Sequence, residues 1–170
     1  MVYSMYTCVK GEVCMRILVC SDSHGRADRL VLALEQQSRA GILVFLGDGA
    51  ADAAFFAREP GKQAYLVRGN CDGVSCQLPL WQEFTVLDKK ILCTHGHYSQ
   101  VKFGLGELLR AGRERGADLV LFGHTHEPLV HYEDGLTLFN PGSIYDGQYG
   151  FVDITNAGIV CRNLRVRERI

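Results

Sequence analysis

Short apolar runs alternate with a helical pattern along the first half of the chain, and each run ends at a polar loop. The continuous apolar runs, which are typical of buried strands, occupy residues 17–20, 42–46 and 64–67. Between the first two runs, apolar residues recur with the spacing of one helix face, at Ala27, Leu30, Val31 and Leu34. A second, short helix is predicted over residues 52–58, before Pro60. This order of strands and helices predicts a parallel sheet with right-handed crossovers.

The pattern changes after residue 83, where strands predominate. A hairpin of residues 84–87 and 91–94, joined by residues 88–90, and a later strand at 119–122 are predicted. One helix is predicted from the apolar positions Val101, Leu105, Leu108 and Leu109. From residue 129 onward the sequence predicts strands only, with turns at 133–135 and 156–158. The fold class is therefore α/β, with an antiparallel tendency in the second half.

A single domain is predicted for most of the chain. Residues 1–14 have little periodicity and are expected to be a loose N-terminal extension, whereas residues 15–170 contain no repeat or linker. Because the ordered pattern begins at Met15, we expect translation to start there in the native host. No apolar stretch approaches the roughly 20 residues that span a bilayer, and no signal-peptide pattern is present, so no membrane association is expected.

The charge of the chain argues against a polyelectrolyte partner. The formal net charge is -1, and lysine and arginine are scattered along the sequence. One short basic cluster near the C-terminus is interpreted as the solvated face of a final strand; it comprises Arg162, Arg165, Arg167 and Arg169. We therefore expect no stable nucleic-acid partner, while nucleic acid as a substrate is left open.

The seven cysteines indicate reduced thiols. They are Cys8, Cys14, Cys20, Cys71, Cys76, Cys93 and Cys161. Their number is odd, no Cys-x-x-Cys pair occurs, and several lie in apolar runs. This usage is typical of mostly buried, unpaired thiols in a cytoplasmic protein.

Polar residues with metal-binding side chains follow directly on the apolar runs. They are Asp22, His24, Asp48, Asn70, His95, His97, His124 and His126. Because ligands of such sheets gather beyond the carboxyl ends of the strands, these five segments are expected to converge. The remaining histidine, His131, lies in a strand-like segment and is expected to be a surface residue.

The mixture of donors suits a borderline divalent cation. Carboxylate, imidazole and amide oxygen together fit Mn, Fe, Zn or Ni, and fit neither a thiolate zinc site nor an all-oxygen calcium site. Without His97 the set still has seven candidate ligands, more than one ion usually takes from protein. Two ions that share one carboxylate account for this number, and such a pair about 3.5–4 Å apart can clamp a phosphoryl group.

The ordered motifs resemble those of the calcineurin-like metallophosphoesterase superfamily, over nearly the whole chain from Met15. They read Asp-Ser-His, Gly-Asp, Gly-Asn-Cys-Asp, Thr-His-Gly-His, Gly-His-Thr-His and Asn-Pro-Gly-Ser. Within the superfamily, the chain looks most like the small prokaryotic phosphodiesterases, a branch that also contains the retromer subunit of this fold. The resemblance implies a two-sheet αββα sandwich. It also implies hydrolysis of small-molecule phosphodiesters by a metal-bridging hydroxide, with two divalent ions, manganese being the expected metal.

The resemblance also assigns roles by position. It implies that Asp22, His24 and His126 bind the first ion, and that Asn70, His95 and His124 bind the second. Asp48 would bridge the two ions. His97 would border the substrate or, alternatively, donate a hydrogen bond behind a ligand. Asp52 has two interpretations, as part of the site and as a charge favoured near a helix start.

Two departures from the family pattern concern the substrate. Many relatives carry, after the Gly-Asn motif, a histidine thought to protonate the leaving oxygen, and here Cys71 takes its place. A thiol, with a pKa of roughly 8.5, is a poor substitute for imidazole, so we expect a preference for diesters with good leaving groups. After Ser143, the Pro-Arg of many relatives is absent, and the contact made by that arginine is not carried over.

Two other functions remain open from the sequence. The first is a protein-binding scaffold with a vestigial metal site, as the retromer subunit is thought to be; all seven ligand positions nevertheless hold side chains that can bind metal. The second is a nuclease, which the lack of a basic groove makes less favoured. The strands near the C-terminus are expected to be exposed and to permit a homo-oligomer.

Overall fold

Two β-sheets pack face to face, and a helix covers the outer face of each sheet. This computed structural model describes residues 7–9 and 12–167. The elements of these ranges are β1 (Thr7–Val9), β2 (Glu12–Cys20), α1 (Ala27–Gln36), β3 (Ile42–Phe45), α2 (Ala50–Ala53), β4 (Gln63–Leu66), β5 (Trp81–Val86), β6 (Lys89–Thr94), α3 (Gly106–Glu114), β7 (Leu119–Leu121), β8 (Leu129–Glu133), β9 (Leu136–Asn140), β10 (Gln148–Thr155) and β11 (Gly158–Arg165). Short 3-10 helices lie at Phe56–Arg58 and Ile144–Asp146.

The first sheet has a parallel centre. Its order is β11-β10-β2-β3-β4, with β1 paired to the first residues of β2. Strands β2, β3 and β4 are parallel, whereas β10 and β11 add to β2 as an antiparallel pair. The second sheet has the order β5-β6-β7-β9-β8, and its three central strands are also parallel. Both sheets therefore present the carboxyl ends of parallel strands.

Each central strand is apolar on both faces because each sheet is covered on both sides. In β2, Ile17 and Val19 point into the core between the sheets, where they join Ile91 of β6. Leu18 of the same strand points to the other face and packs with Leu30 of α1. The continuous apolar runs in the sequence are thus two alternating sets of side chains, one for each layer of the core.

The predicted two-sheet αββα sandwich is confirmed, as are the buried strands β2, β3 and β7 that lead into the polar loops, whereas β4 is a half-buried edge strand. The helix predicted after the first strand is α1, and the predicted turns at 133–135 and 156–158 join β8 to β9 and β10 to β11. Arg162 and Arg165 lie exposed on the edge strand β11, as the interpretation of the basic cluster requires.

Several local predictions were wrong. The helix predicted at 52–58 is two pieces, α2 and the 3-10 helix Phe56–Arg58. The hairpin turn is tighter than predicted, since Lys89 and Lys90 belong to β6 and Leu87 turns the chain with a φ of 54°. Helix α3 starts only at Gly106, because Gly104 has a φ of 153° that no right-handed helix allows, so Val101 packs from a preceding turn.

The antiparallel tendency predicted for the second half is confirmed in the pairings β5–β6, β8–β9, β10–β11 and β10–β2, but the centre of the second sheet is parallel. Strands β6, β7 and β9 are parallel because α3 and the hairpin strand β8 carry the chain back between them. The final third also contains the 3-10 helix Ile144–Asp146, where strands alone were predicted.

The predicted loose extension is partly strand. Strand β2 begins at Glu12, before Met15, and pairs with β1, because the register places Thr7 opposite Cys14. The rest of the extension, residues 1–6 and 10–11, lies outside the described residues. A translation start at Met15 stays a prediction.

The described cysteines agree with the expectation of unpaired thiols. No disulfide joins the cysteines whose side chains the structure describes, which are Cys14, Cys20, Cys71, Cys76, Cys93 and Cys161, and burial raises the pKa of the Cys20 and Cys93 thiols. Within residues 7–9 and 12–167, no helix is long and apolar enough to cross a membrane.

The Gly150→Ala variant tests how tightly the sheets are packed. A methyl group at this position of β10 would lie 2.8 Å from Cε1 of Phe139, a fully buried ring, and 3.0 Å from the carbonyl oxygen of Arg162. Because the ring cannot retreat, we expect urea denaturation to show a loss of about 1–3 kcal/mol in the free energy of unfolding.

The matched control is Gly106→Ala at the first turn of α3, where an added methyl group meets nothing within 4 Å. It should cost no stability, since alanine favours the helix more than glycine does. Equal stability of the two variants would contradict this account of the packing.

Candidate metal centre

The polar residues predicted from the sequence meet at one edge of the two sheets. Asp22 and His24 follow β2, Asp48 follows β3, Asn70 follows β4, His95 and His97 follow β6, and His124 and His126 follow β7. The described part of the chain contains three groups of metal-binding side chains within 4.8 Å of one another, and all three lie here. They are Asp22 with His24 and His126, His24 with Asp48 and Cys71, and Asp48 with His95 and His124.

The backbone of this edge is strained where the donors lie. Of the eight described non-glycine residues with positive φ, five belong to the predicted ligand set: Asp22, His24, Asp48, His124 and His126. Their φ values, between 43° and 68°, lie in the left-handed region that side chains with a Cβ rarely adopt. Such strain persists only where the surrounding structure enforces it, and it is concentrated at functional sites.

The first cluster joins Asp22, His24 and His126. Nε2 of His126 lies 3.1 Å and Nε2 of His24 3.8 Å from Oδ1 of Asp22, and the two ring nitrogens lie 3.4 Å apart. Asp22 is fully buried, yet its Oδ1 accepts no hydrogen bond from the described residues. Two imidazole nitrogens and a carboxylate oxygen thus converge on one point, an arrangement that suits a cation.

The other oxygen of Asp22 is held by the protein. Oδ2 accepts hydrogen bonds from the Ser21 hydroxyl and, at 3.1 Å, from the backbone N–H of His124. The Ser143 hydroxyl donates to the Asp22 backbone carbonyl at 2.9 Å. These bonds fix the carboxylate so that Oδ1 alone faces the two histidines.

The second cluster is organised around His95, which is fully buried. Its Nδ1 donates to the carbonyl oxygen of Leu46 at 2.6 Å, so Nε2 is the nitrogen that faces the site. Oδ1 of Asn70 lies 3.2 Å and Oδ2 of Asp48 3.4 Å from this Nε2. Asn70 in turn donates its Nδ2 hydrogen to Sγ of Cys71, which aims Oδ1 at His95.

The charges of the second cluster favour a cation. Burial alone would raise the pKa of Asp48, but the hydrogen bond and attraction of His95, with the backbone N–H of Cys71, outweigh it and lower that pKa below its usual range. Burial, the neighbouring His95 and the positive charge of Lys102 lower the pKa of His124 to about 4. At neutral pH, Asp48 is therefore an anion and His124 is neutral, the forms in which each binds metal.

Asp48 lies between the two clusters. Its Oδ2 faces His95, its Oδ1 accepts the backbone N–H of Cys71 at 2.7 Å, and its carboxylate also groups with His24. The close approach of the β4 loop depends on Gly69, because a Cβ there would collide with the backbone nitrogen of Asp48 and lie 2.8 Å from its Cγ.

Asp72 was not singled out from the sequence, but it ties two ligand loops together. Its Oδ1 accepts the N–H groups of Gly49 and Ala50, each at 2.7 Å, and its Oδ2 accepts those of Gly69 at 2.7 Å and Asp48 at 3.0 Å. Burial opposes its ionisation, but these four bonds outweigh burial and lower its pKa. Its position at the end of the Gly-Asn-Cys-Asp motif was the available signal.

Asp52 supports the first loop rather than facing the clusters. Its Oδ2 accepts the Ser23 hydroxyl at 2.6 Å and the N–H of Gly25 at 2.8 Å. Of the two interpretations offered by the sequence, neither anticipated this contact. His131, as expected, lies on the surface, with Nε2 3.5 Å from Oε2 of Glu133.

His97 and Cys71 border the clusters. The His97 ring lies 5.2 Å from that of His95 and 6.1 Å from that of His124, and its Nδ1 is buried with no hydrogen-bond partner among the described residues. Cys71 is exposed and, with His24, Asp48 and Asp72, lines an open cavity of about 300 Å³. Cys71 therefore adjoins the open space beside the first ligands, and His97 adjoins the rings of the second cluster.

The donor set suits divalent cations. A buried carboxylate oxygen faces two histidines in the first cluster, and an imidazole nitrogen, an amide oxygen and a carboxylate oxygen face one another in the second. Among the described residues, the groups that could hold an ion are Asp22 with His24 and His126, and Asp48 with His95 and His124, while Asp48 also groups with His24 and Cys71.

The Asp72→Asn variant tests the support of the ligand loops. The substitution removes the negative charge that accepts four backbone N–H groups, and it replaces one acceptor oxygen with an NH₂ group. The loops after β3 and β4 should therefore no longer be held at the distance that brings their ligands together. We expect isothermal titration to show Mn²⁺ affinity reduced about 10- to 100-fold, as for other residues that orient metal ligands.

The control is Asp118→Asn, which alters a carboxylate that accepts one backbone N–H, that of Lys90 at 2.8 Å, at the opposite end of the strands. Mn²⁺ affinity should there stay within about twofold of wild type. A similar loss of affinity in both variants would show that the effect is general destabilisation rather than loop support.

Comparison with known proteins agrees with this geometry. Residues 15–156 match the calcineurin-like phosphoesterase superfamily domain. The probable metallophosphoesterase YsnB of Bacillus subtilis is 33% identical over 135 residues, which cover 76% of this chain and 75% of that protein. The phosphodiesterase YfcE of Escherichia coli K12 is 30% identical over 178 residues, which cover 88% of this chain and 93% of that protein.

Solved structures share the fold. A predicted phosphoesterase from Streptococcus pneumoniae matches with a TM-score of 0.77 at 25% identity, over 89% of this chain and 90% of that one. Vacuolar protein sorting 29 from Cryptosporidium parvum matches with a TM-score of 0.75 at 17% identity, over 91% of this chain and 93% of that one, a likeness of fold alone. The chain belongs to the calcineurin-like phosphoesterase superfamily and is a metal-dependent phosphoesterase.

Proposed function

We propose that the protein is a binuclear-metal phosphodiesterase that hydrolyses small-molecule phosphodiesters. The observation that carries the proposal is the position of Asp48, which groups with His24 of the first cluster and with His95 and His124 of the second. The phosphodiesterase name of the relative from Escherichia coli supports diesters as the substrate class.

Two bound divalent ions would supply an activated water and positive charge opposite the phosphoryl oxygens. Manganese is the metal we expect, and the same donors fit Fe, Zn and Ni. The protein contributes the geometry: Leu46 and Asn70 orient His95, and Ser21 and the His124 N–H orient Asp22. Because these partners are in place before substrate binds, little reorganisation is needed during the reaction.

His97 is proposed to contact the substrate. Burial and the neighbouring His95 lower its pKa, so its imidazole is neutral at pH 7 and has one N–H to donate. This ring is suited to donating a hydrogen bond to a phosphoryl oxygen. The Lys102 side chain adds a positive charge beside His124 and His126, which favours an anionic substrate.

Cys71 is proposed to leave the site without a strong general acid. Burial and the nearby carboxylates of Asp48, Asp72 and Asp22 raise the pKa of its thiol. A thiol of raised pKa protonates a departing oxygen poorly near neutral pH. The site should therefore favour esters whose leaving groups depart as stable anions, such as aryl diesters.

The alternative is a protein-binding scaffold with a vestigial metal site, and the likeness to vacuolar protein sorting 29 concerns the fold alone. The convergence of His24 and His126 on the buried Oδ1 of Asp22, which accepts no hydrogen bond from the described residues, weighs against it, because a scaffold has no use for this arrangement. Localisation in the cytoplasm and a homo-oligomer stay predictions; the edge position of β11 is compatible with pairing between chains.

Metal removal tests the proposed mechanism. Chelation should abolish hydrolysis of bis(p-nitrophenyl) phosphate, and Mn²⁺ should restore it, because no described side chain replaces the charge that the ions supply. Elemental analysis of reconstituted wild type should find two Mn per chain. Hydrolysis that survives thorough chelation would end the proposal.

Substituting one proposed ligand of each ion in turn tests the ligand assignment. His126→Ala and His95→Ala should each bind fewer than two Mn per chain and lose at least about 100-fold in kcat/KM, as for loss of a group that stabilises transition-state charge. His131→Ala, which removes a histidine outside the clusters, should keep two Mn and full activity. Unchanged metal content in all three variants would contradict the ligand assignment.

The Cys71→His variant tests the missing acid. An imidazole at this position should raise kcat/KM for an alkyl phosphodiester about 10-fold or more, and should change hydrolysis of bis(p-nitrophenyl) phosphate little, because p-nitrophenolate needs no proton to leave. Cys71→Ser is the control for a change of size and polarity alone. No gain on the alkyl ester would discard this account of Cys71.

A further inference from the structure

Two exposed tyrosines adjoin the donor clusters, one beside each cluster. The ring of Tyr145 meets that of His24, in the first cluster, edge-on at 6.3 Å. The ring of Tyr98 lies 4.5 Å from that of His97, which adjoins the second cluster. Tyr145 is 48% exposed and Tyr98 66% exposed, so each ring keeps surface that a bound group can contact, and Tyr98 also borders a groove with Trp81 and Arg110.

Tyr145 is fastened to the first ligand loop. Its backbone N–H donates to the carbonyl oxygen of Asp22 at 3.1 Å, and the backbone N–H of Ile144 donates to the carbonyl oxygen of Ser21 at 2.9 Å. Ile144 is fully buried and anchors the short 3-10 helix that carries the tyrosine. The position of the Tyr145 ring is thereby set relative to the metal ligands themselves.

Tyr98 is held by a turn that follows His97. The backbone N–H of Ser99 donates to the carbonyl oxygen of Gly96 at 3.0 Å. The backbone N–H of Gln100 donates to the carbonyl oxygen of His97 at 3.2 Å. Ser99 and Val101 are buried and anchor the turn on both sides of its exposed residues. The Tyr98 ring is therefore carried by a closed turn and not by a long loop.

The two tyrosines adjoin different clusters, as the two ester groups of a diester require. Tyr145 contacts His24, which lies 5.3 Å from His126 in the first cluster, and Tyr98 contacts His97, which lies 5.2 Å from His95 in the second. A phosphodiester whose phosphoryl group lies between the clusters has two ester groups, one for each tyrosine. A monoester has one such group and reaches one tyrosine at most.

We propose that Tyr98 and Tyr145 determine specificity by stacking against aromatic ester groups, so that the site takes phosphodiesters with an aromatic ring on each arm. This inference rests on the proposed function and names the substrate class of the same site. The shared chemistry is a flat aromatic ring, which a simple aryl ester and a nucleoside ester both supply. Because stacking acts in binding, the tyrosines should affect KM more than kcat.

Three substrates with the same leaving group test the proposal: bis(p-nitrophenyl) phosphate, thymidine 5′-(p-nitrophenyl phosphate) and methyl p-nitrophenyl phosphate. Tyr98→Ala and Tyr145→Ala should each raise KM for the first about 3- to 10-fold, the range expected of one aromatic contact, with kcat within about twofold. With the methyl ester, one of the two variants should lose its effect, because one arm has no ring.

Matched variants separate stacking from other effects. Tyr98→Phe and Tyr145→Phe keep the ring and should retain the wild-type KM. Tyr132→Ala removes a tyrosine that is 70% exposed on β8, toward the end of that strand that points away from the site, and should change nothing. An effect with the nucleoside ester extends the class to nucleosides, and an effect with the bis-aryl ester alone restricts it to aryl esters; both support the proposal. Equal effects of each alanine variant on all three substrates would overturn it.

A binding measurement tests the inference without turnover. Titration calorimetry of the Mn-loaded protein should find tighter binding of diphenyl phosphate than of dimethyl phosphate, and the ratio should fall at least about 10-fold in the double variant Tyr98→Ala, Tyr145→Ala. A ratio unchanged in the double variant would overturn the inference. If the protein binds diphenyl phosphate in this way but hydrolyses no diester, the proposed function fails and the binding inference stands.

Discussion

The metal centre depends on the carboxylate of Asp72, which is not one of the predicted metal ligands. Asp72 accepts four backbone N–H groups from the loops that follow β3 and β4, and thereby fixes the separation of Asp48 from Asn70. Without it, four amide dipoles would point at one another across a gap that Gly69 keeps narrow. The Asp48 carboxylate, which would meet a cation, is therefore held in place by a second carboxylate, that of Asp72.

The strained backbone conformations and the buried charge of the site occur at the same ligand residues. Five donors adopt left-handed backbone conformations, and a fully buried carboxylate oxygen of Asp22 lacks a hydrogen-bond partner among the described residues. Both features cost free energy in the protein alone. Bound cations would offset the cost of the buried Asp22 oxygen. The apolar packing of the two sheets stabilises the fold enough to hold the ligand loops in their left-handed conformations.

The same edge of the sheets also sets the proposed chemistry around the metals. Carboxylates near Cys71 keep its thiol protonated and weakly acidic, whereas burial keeps the His97 imidazole neutral. The exposed rings of Tyr98 and Tyr145 adjoin His97 and His24. A site with metal-binding charge at its centre and with weak acids and aromatic rings beside it is suited to diesters whose aromatic groups leave as stable anions.

Sequence alone determined the strands, the layers and the eight polar residues at the strand ends, because apolar runs and strand-end motifs are local patterns. It did not determine the roles of Asp72, Asp52 and Tyr145, since each acts through a partner more than 20 residues away or through its distance from another loop. The late start of α3 and the parallel pairing of β7 with β9 were likewise decided by tertiary structure. The role of a carboxylate, a hydroxyl or an aromatic ring depends on the groups that it contacts, and only the packing of the two sheets brings those groups together.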